Sequence, residues 1–192
     1  QDGPVDFHAV LDELKPRPWL YDGLDAWTRR LLDGPPHKAA VVFVDNAGPD
    51  ITLGMVPLIR SLLMRGTQVI ATANTTPALN DVTIDELDGL LHAVAAFDDP
   101  IAHALDDDRL CLVPSGNGAP LIDLNHVSPV LAEQAQQRGA DLVILEGMGR
   151  GVESNIDARF ACESLNLAMI KEHGVADALG GALYDLVMRY EQ

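Results

Sequence analysis

Two oxygen-bearing side chains stand side by side where an apolar run stops, Asp45 and Asn46 in AAVVFVDNAG, and a third, Asp81, precedes a helix signal in NDVT. Two carboxylates and an amide are hard-ion donors; with water they suit Mg²⁺ or Mn²⁺ and leave positions open for a substrate oxygen. Adjacent strand residues point to opposite faces, so Asp45 and Asn46 reach one ion only if Asn46 has already left the strand for a turn, which Gly48 permits. The same spacing fits an Asx turn followed by a helix cap, and spacing alone favours that plainer account.

The other apolar runs also end in polar residues. Asn74-Thr75-Thr76 follows one, Ser115-Gly116-Asn117-Gly118 a second, Glu146-Gly147-Met148-Gly149-Arg150-Gly151 a third, and Lys171 closes a fourth. The three glycines at 147, 149 and 151 can turn consecutive backbone N–H groups toward an anion. Their spacing matches neither a P-loop nor a dinucleotide fingerprint, and a flexible loop without a ligand accounts for them equally well. Lys171 can neutralise a phosphoryl group or simply extend its ammonium to water from an apolar stem, and Arg150 is open in the same way. The six histidines make no metal-binding spacing and no nucleophile–base pair.

Elements that would carry these groups follow from the pattern. From Ala39 onward, short β-branched runs alternate with helical stretches, the arrangement of a largely parallel sheet covered on both faces. The expected fold is a three-layer, mostly parallel, Rossmann-like α/β sheet with helices on both faces and a short helical N-terminal arm. Residues 1–38 form the arm, PVDFHAVLDELKPRPWL and GLDAWTRRLLDG supplying its helices, and 39–192 form the α/β domain. In such sheets ligands bind beyond the carboxyl ends of the strands, so all the polar run-ends should share one rim. Thr83 and Glu86 form a capping box, Pro57 should kink the helix that Pro49 opens, and Ser128-Pro129 should start another. LNLAMIK and ALYDLVMRY fit strand or helix equally.

The totals narrow the function. With 192 residues, 47% of them hydrophobic, one core and one domain are expected. Thirteen basic against twenty-nine acidic residues leave a charge of −16, which repels nucleic acid and anionic membrane, so a phosphate substrate needs a local cation or metal. Cys111 and Cys162 are too few for a disulfide framework and fit buried thiols in a reducing compartment. No apolar run approaches the ~20 residues of a membrane span and no leader pattern is evident, which points to the cytoplasm. Gln1 in place of Met points to a chain cut from something longer.

Four blocks, VVFVDNAGPDITLG, ANTTPALNDVT, ADLVILEGMGRG and CESLNLAMIK, together resemble the metal-dependent damage-control phosphatases once grouped as domain of unknown function 89. The likeness is to the branch that includes the C-terminal phosphatase domain of pantothenate kinase 4, whose signature is EGMGR. It runs from about Arg17 to the C-terminus with the blocks in the family's order. The resemblance implies a phosphatase whose divalent metal (Mg, Mn, Co or Ni) sits on Asp45, Asn46 and Asp81. Glu146, Gly147, Met148, Gly149 and Arg150 would lie at the substrate with Asn74, Lys171 would bind phosphate, and Asp45 and Lys171 would be catalytic. It leaves open whether Asp45 or a water on the ion attacks phosphorus. The implied substrate is a small phosphorylated metabolite, 4'-phosphopantetheine or its oxidised forms, in the coenzyme A pathway. Relatives carry a helical region ahead of this part, of which only the tail is here, so a lid or pocket wall would be missing and a homodimer could supply it. Two other readings stand beside this one: a module that binds ion and phosphometabolite without turnover, and an S-adenosylmethionine-dependent carboxyl methyltransferase.

Overall fold

The structure, a computed structural model, describes residues 15–192. Most of the first expected helix, up to residue 14, lies outside the described residues. The elements are β1 (Tyr21–Asp22), α1 (Leu24–Asp33), β2 (Ala39–Phe43), α2 (Val56–Met64), β3 (Gln68–Ala73), α3 (Ile84–Ala95), α4 (Asp99–Asp106), β4 (Leu110–Pro114), α5 (Pro129–Gln137), β5 (Leu142–Glu146), β6 (Glu163–Met169), α6 (His173–Leu179) and β7 (Leu186–Glu191). π-Helical stretches at Asp50–Met55 and Met148–Glu153 follow β2 and β5.

The seven strands form one sheet in the order β1-β7-β6-β5-β2-β3-β4, with every pair parallel except β6 and β7. From β2 the chain winds outward through β3 to β4, then crosses to the other side for β5 and β6. The strand order therefore switches direction between β2 and β5, where open α/β sheets place their ligand crevice. Strand β2 is buried at all five positions. Ala40 and Val42 share one core cluster with Trp27 of α1, Ile59 and Leu62 of α2, Leu87 and Leu91 of α3 and Ile101 of α4, while Val41 and Phe43 share the other with Ile122 of the loop after β4 and Leu131 of α5. Residues with period two on a strand and helices on each face make the three layers. Truncating Ile59, which has no exposed surface, to Ala would cost about 2–5 kcal/mol.

Local signals account for most of these boundaries. Helix α3 carries both halves of its capping box: Glu86 N–H donates to Thr83 Oγ1 at 3.4 Å and Thr83 N–H donates to Glu86 Oε2 at 2.8 Å. Ser128 caps α5, accepting from Leu131 N–H at 3.1 Å. The helix changes character beside Pro57: the chain passes from π-helical to α-helical at Val56, and Pro57 falls in the first turn of α2, where its missing N–H is not needed. Helix α4, too short and acidic to show in the apolar pattern, starts from Asp98, whose Oδ1 accepts from Ile101 N–H at 3.1 Å.

The two ambiguous C-terminal runs are both strands. Gly180 ends α6 at φ 69°, the left-handed conformation glycine adopts without cost, and the chain returns as β7 antiparallel to β6. Among the described residues, the arm ahead of Ala39 gives one helix, α1, and also an edge strand, since Tyr21 and Asp22 pair with Val187 and Met188. Cys111 and Cys162 are free, and burial pushes both thiols up, away from reactivity. No helix among the described residues is long and apolar enough to cross a membrane.

Candidate functional site

The loops after β2 and β3 are joined to each other as if they were strands. Asn46 and Asp81 form an isolated antiparallel bridge. Around it, Val82 N–H donates to Asp45 O at 2.8 Å, Ala47 N–H to Asn80 O at 2.9 Å, and the Asn80 amide to Asn46 Oδ1 at 2.8 Å. Gly48, at φ 82°, makes the turn that lets Asn46 leave the direction of β2. Asp45, Asn46 and Asp81, which lie on two loops, are thus brought to one place at the switch point. Asp45 and Asp81 are 7% and 8% exposed, so each carboxylate is largely withdrawn from water.

The loop after β5 closes the site from below. Asp45 N–H donates to Glu146 Oε2 at 2.6 Å. Gly147 has φ 98°, and a β-carbon there would overlap the Asp45 carboxylate, so only glycine lets the two loops meet. Arg150, expected beside the substrate, instead has no exposed surface. Its Nη2 donates to Asp81 Oδ2 at 2.7 Å and its Nη1 to Val44 O. Its Nε lies 2.8 Å from Asp45 Oδ1, but the N–H is not aimed at that oxygen, so this contact is an ion pair rather than a hydrogen bond. Asn74, also expected at the substrate, is fully buried and donates to Asp81 Oδ2 at 3.0 Å. Two of the glycine-loop amides are engaged within the fold: Gly147 N–H donates to Leu167 O and Gly151 N–H to Gly147 O. Gly149 faces Pro120 and Leu121 of the loop after β4. Close approach of the neighbouring loops thus accounts for glycine at 147, 149 and 151.

Of the expected substrate residues, Glu146, Gly147, Met148 and Lys171 do line a cleft of about 330 Å³ together with Asn46. Sequence reasoning missed Asp50, which sits in the same cleft, accepts from the Asn46 amide at 2.9 Å and lies 3.9 Å from Lys171 Nζ. Its separation of four residues from Asn46, at the start of a helical stretch, was the available signal. The remaining wall is apolar, formed by Met55, Leu58, Leu167 and Met169.

Electrostatics mark this rim as short of positive charge. Among the described residues, the cations facing Asp45, Asp50, Asp81 and Glu146 are Arg150 and Lys171. Burial pushes Asp45 up to about 6 against the pull of Arg150, with Asp81 pushing the same way. Burial likewise pushes Glu146 up to about 7, against the Asp45 N–H that it accepts. Two negative charges in excess, partly desolvated, are what one divalent cation neutralises. Among the described residues no three His, Cys, Asp or Glu side chains form an ion-holding group; the donor set here is two carboxylates and an amide, which suits a hard cation. Asn74 Oδ1, beside Asp81, is a buried acceptor with no protein partner. The residues present fit such an ion.

The fold and its rim define a doubly wound α/β protein with an acidic, oxygen-rich centre at the strand switch. Residues 1–187 match the damage-control phosphatase ARMT1-like domain, and the chain belongs to that family. It is 43% identical over 192 residues to a damage-control phosphatase of Arabidopsis thaliana, covering 100% of this chain and 51% of that protein. It is 38% identical over 237 residues to the 4'-phosphopantetheine phosphatase of Mus musculus (99% of this chain, 29% of that protein) and 42% identical over 212 residues to pantothenate kinase 2 of Oryza sativa subsp. japonica (97% and 23%). The chain thus spans about half the length of these curated relatives or less. A crystal structure of a DUF89 family protein from Pyrococcus horikoshii shares the fold with a TM-score of 0.68 at 19% identity, over 96% of this chain and 57% of that one.

Proposed function

We propose that the domain is a divalent-metal-dependent phosphomonoester hydrolase acting on a small phosphorylated metabolite, 4'-phosphopantetheine or an oxidised derivative being the first candidate. The observation that carries the reading is the convergence of Asp45, Asn46 and Asp81, from two hydrogen-bonded loops, beside a cleft that Asn46 lines together with Lys171. The substrate candidate rests on the name of the mouse relative, to which this chain corresponds over 29% of the length.

Asp45, Asn46 and Asp81 would hold the cation, which when bound withdraws charge from the phosphoryl oxygens. Lys171, exposed at the cleft mouth, places a second positive charge where the phosphate arrives. Its partner Asp50 is half-exposed and 3.9 Å away, a weak pair from which a phosphate dianion can draw the ammonium. Glu146 fixes the backbone of Asp45 by accepting its N–H. Met55, Leu58 and Met169 give the organic part of the metabolite an apolar wall that excludes water on that side.

A phosphate-release screen over phosphopantetheine, sugar phosphates and nucleotides, with Mg²⁺, Mn²⁺, Co²⁺ and Ni²⁺ beside a chelated control, tests the reading. Release that needs the ion and favours one substrate class is expected. Ion-dependent binding of phosphopantetheine with no phosphate released would leave a binding module, and release undiminished by chelation would remove the cation from the reaction.

A further inference from the structure

Arg150 is not among the residues lining the cleft and has no exposed surface, yet among the described residues its side chain alone makes polar contacts with both the Asp45 and the Asp81 carboxylates. Its third contact, to Val44 O, is at the end of β2. One rigid fork therefore reaches the strand from which the first loop leaves, the carboxylate of that loop, and the carboxylate of the second loop. The fork is itself braced. Asn155 Nδ2 donates to Arg150 O at 2.9 Å, and Asn166 of β6 donates through Nδ2 to Gly151 O at 2.5 Å. Gly151 packs where a β-carbon would come within 2.9 Å of Leu145 O. The turn carrying Arg150 is thus held by β5 and β6, and the guanidinium passes that rigidity to two loops that would otherwise be joined chiefly by the bridge between Asn46 and Asp81.

We propose that Arg150 is the positioning residue of this centre: it ties the loop after β2 to the loop after β3 through their carboxylates, so that Asp45 and Asp81 stay together with or without an ion. Two carboxylates at low exposure repel each other, and the guanidinium offsets that repulsion from the buried side. Because it uses Asp45 Oδ1 and Asp81 Oδ2, the other oxygen of each carboxylate remains for a ligand. A lysine cannot take its place, since one ammonium does not span three acceptors set by a planar fork. The consequence for ion binding rests on the reading of the preceding section; the tie itself does not.

The test compares wild type, R150Q and R150K as whole chains. Amide hydrogen exchange is followed at Val82 and Ala47, whose N–H groups join the two loops, with Val69 in the core of the sheet as reference. Mn²⁺ alone is titrated by calorimetry. Both variants should exchange at least about tenfold faster at Val82 and Ala47 with Val69 unchanged, and should bind Mn²⁺ about 10- to 100-fold more weakly. Wild-type exchange rates at these amides in either variant overturn the proposal, and if R150Q does not fold, R150K alone decides it. Faster exchange in the variants of a chain that binds no Mn²⁺ even as wild type would uphold the tie and overturn the cation reading instead.

Discussion

Asp81 accepts from Arg150 Nη2 at 2.7 Å and from the Asn74 amide at 3.0 Å, both on the same oxygen, Oδ2. One side of the carboxylate is therefore fully committed to the fold, and only Oδ1 is left for chemistry. The same division holds at Asp45, whose Oδ1 faces Arg150. A function that needs these two groups must use what the fold leaves over, and this shapes how substitutions should be chosen.

Replacing Asp45 or Asp81 by Ala would leave a buried guanidinium short of a partner, a defect that costs about 3–5 kcal/mol and confuses activity with folding. Asn keeps the shape and an acceptor oxygen for Arg150. D45N and D81N should each lower ion-dependent phosphate release by about 100-fold or more while the far-ultraviolet circular dichroism stays that of wild type. Turnover within about twofold of wild type in either variant would remove that residue from the centre.

K171A should behave differently. Its ion pair is long and half-exposed, so Tm should move by less than about 3 °C. Steady-state kinetics should show kcat/KM falling by roughly 10- to 100-fold, equivalent to about 1.4–3 kcal/mol of transition-state binding. An unchanged kcat/KM would return Lys171 to the role of a surface lysine.

Two glycine-to-alanine changes make a matched pair. At Gly147 the backbone sits at φ 98° and the new β-carbon would overlap the Asp45 carboxylate, so G147A should lower Tm by about 5 °C or more and abolish Mn²⁺ binding. Gly89 lies within α3 with nothing within 4 Å of an added β-carbon. G89A should raise stability by about 0.5–1 kcal/mol, seen as a Tm higher by about 1–4 °C, with activity unaltered.

Stability should depend on pH in a direction set by Asp45 and Glu146. Burial raises both, to about 6 and about 7, so the folded chain holds protons that the unfolded chain has already released. Folding stability of the ion-free chain is then greatest below the unfolded carboxylate range, near pH 4 for these two groups, and is lost as pH rises through about 6 to 7, by a total on the order of a few kcal/mol. Thermal melts from pH 5 to 8 in chelator should show Tm falling, and a saturating divalent cation should cancel much of the fall by favouring both carboxylates ionised. A chelated Tm that rises across that range would contradict the assignment of these two groups as buried and short of positive charge.

The alternation of β-branched runs and capped helices was legible from residue types alone, because strand and helix periods and caps such as Thr83–Glu86 are local properties. So was the rim: in a parallel sheet every strand leaves its polar successor at the same edge, which placed Asp45, Asn46 and Lys171 near one another before any contact was known. The strand character of β6 and β7 was not legible, since apolar runs of that length serve either period; only their pairing, and that of Tyr21–Asp22 at the sheet edge, decided it. Depth was also beyond reach. Arg150 and Asn74 follow their strands as the cleft residues do, yet both are buried beneath the carboxylates instead of facing the cleft. Arg150 is held there by partners 69 and 106 residues away, and spacing along a chain carries no information about which of two polar neighbours will be enclosed when distant loops close over it.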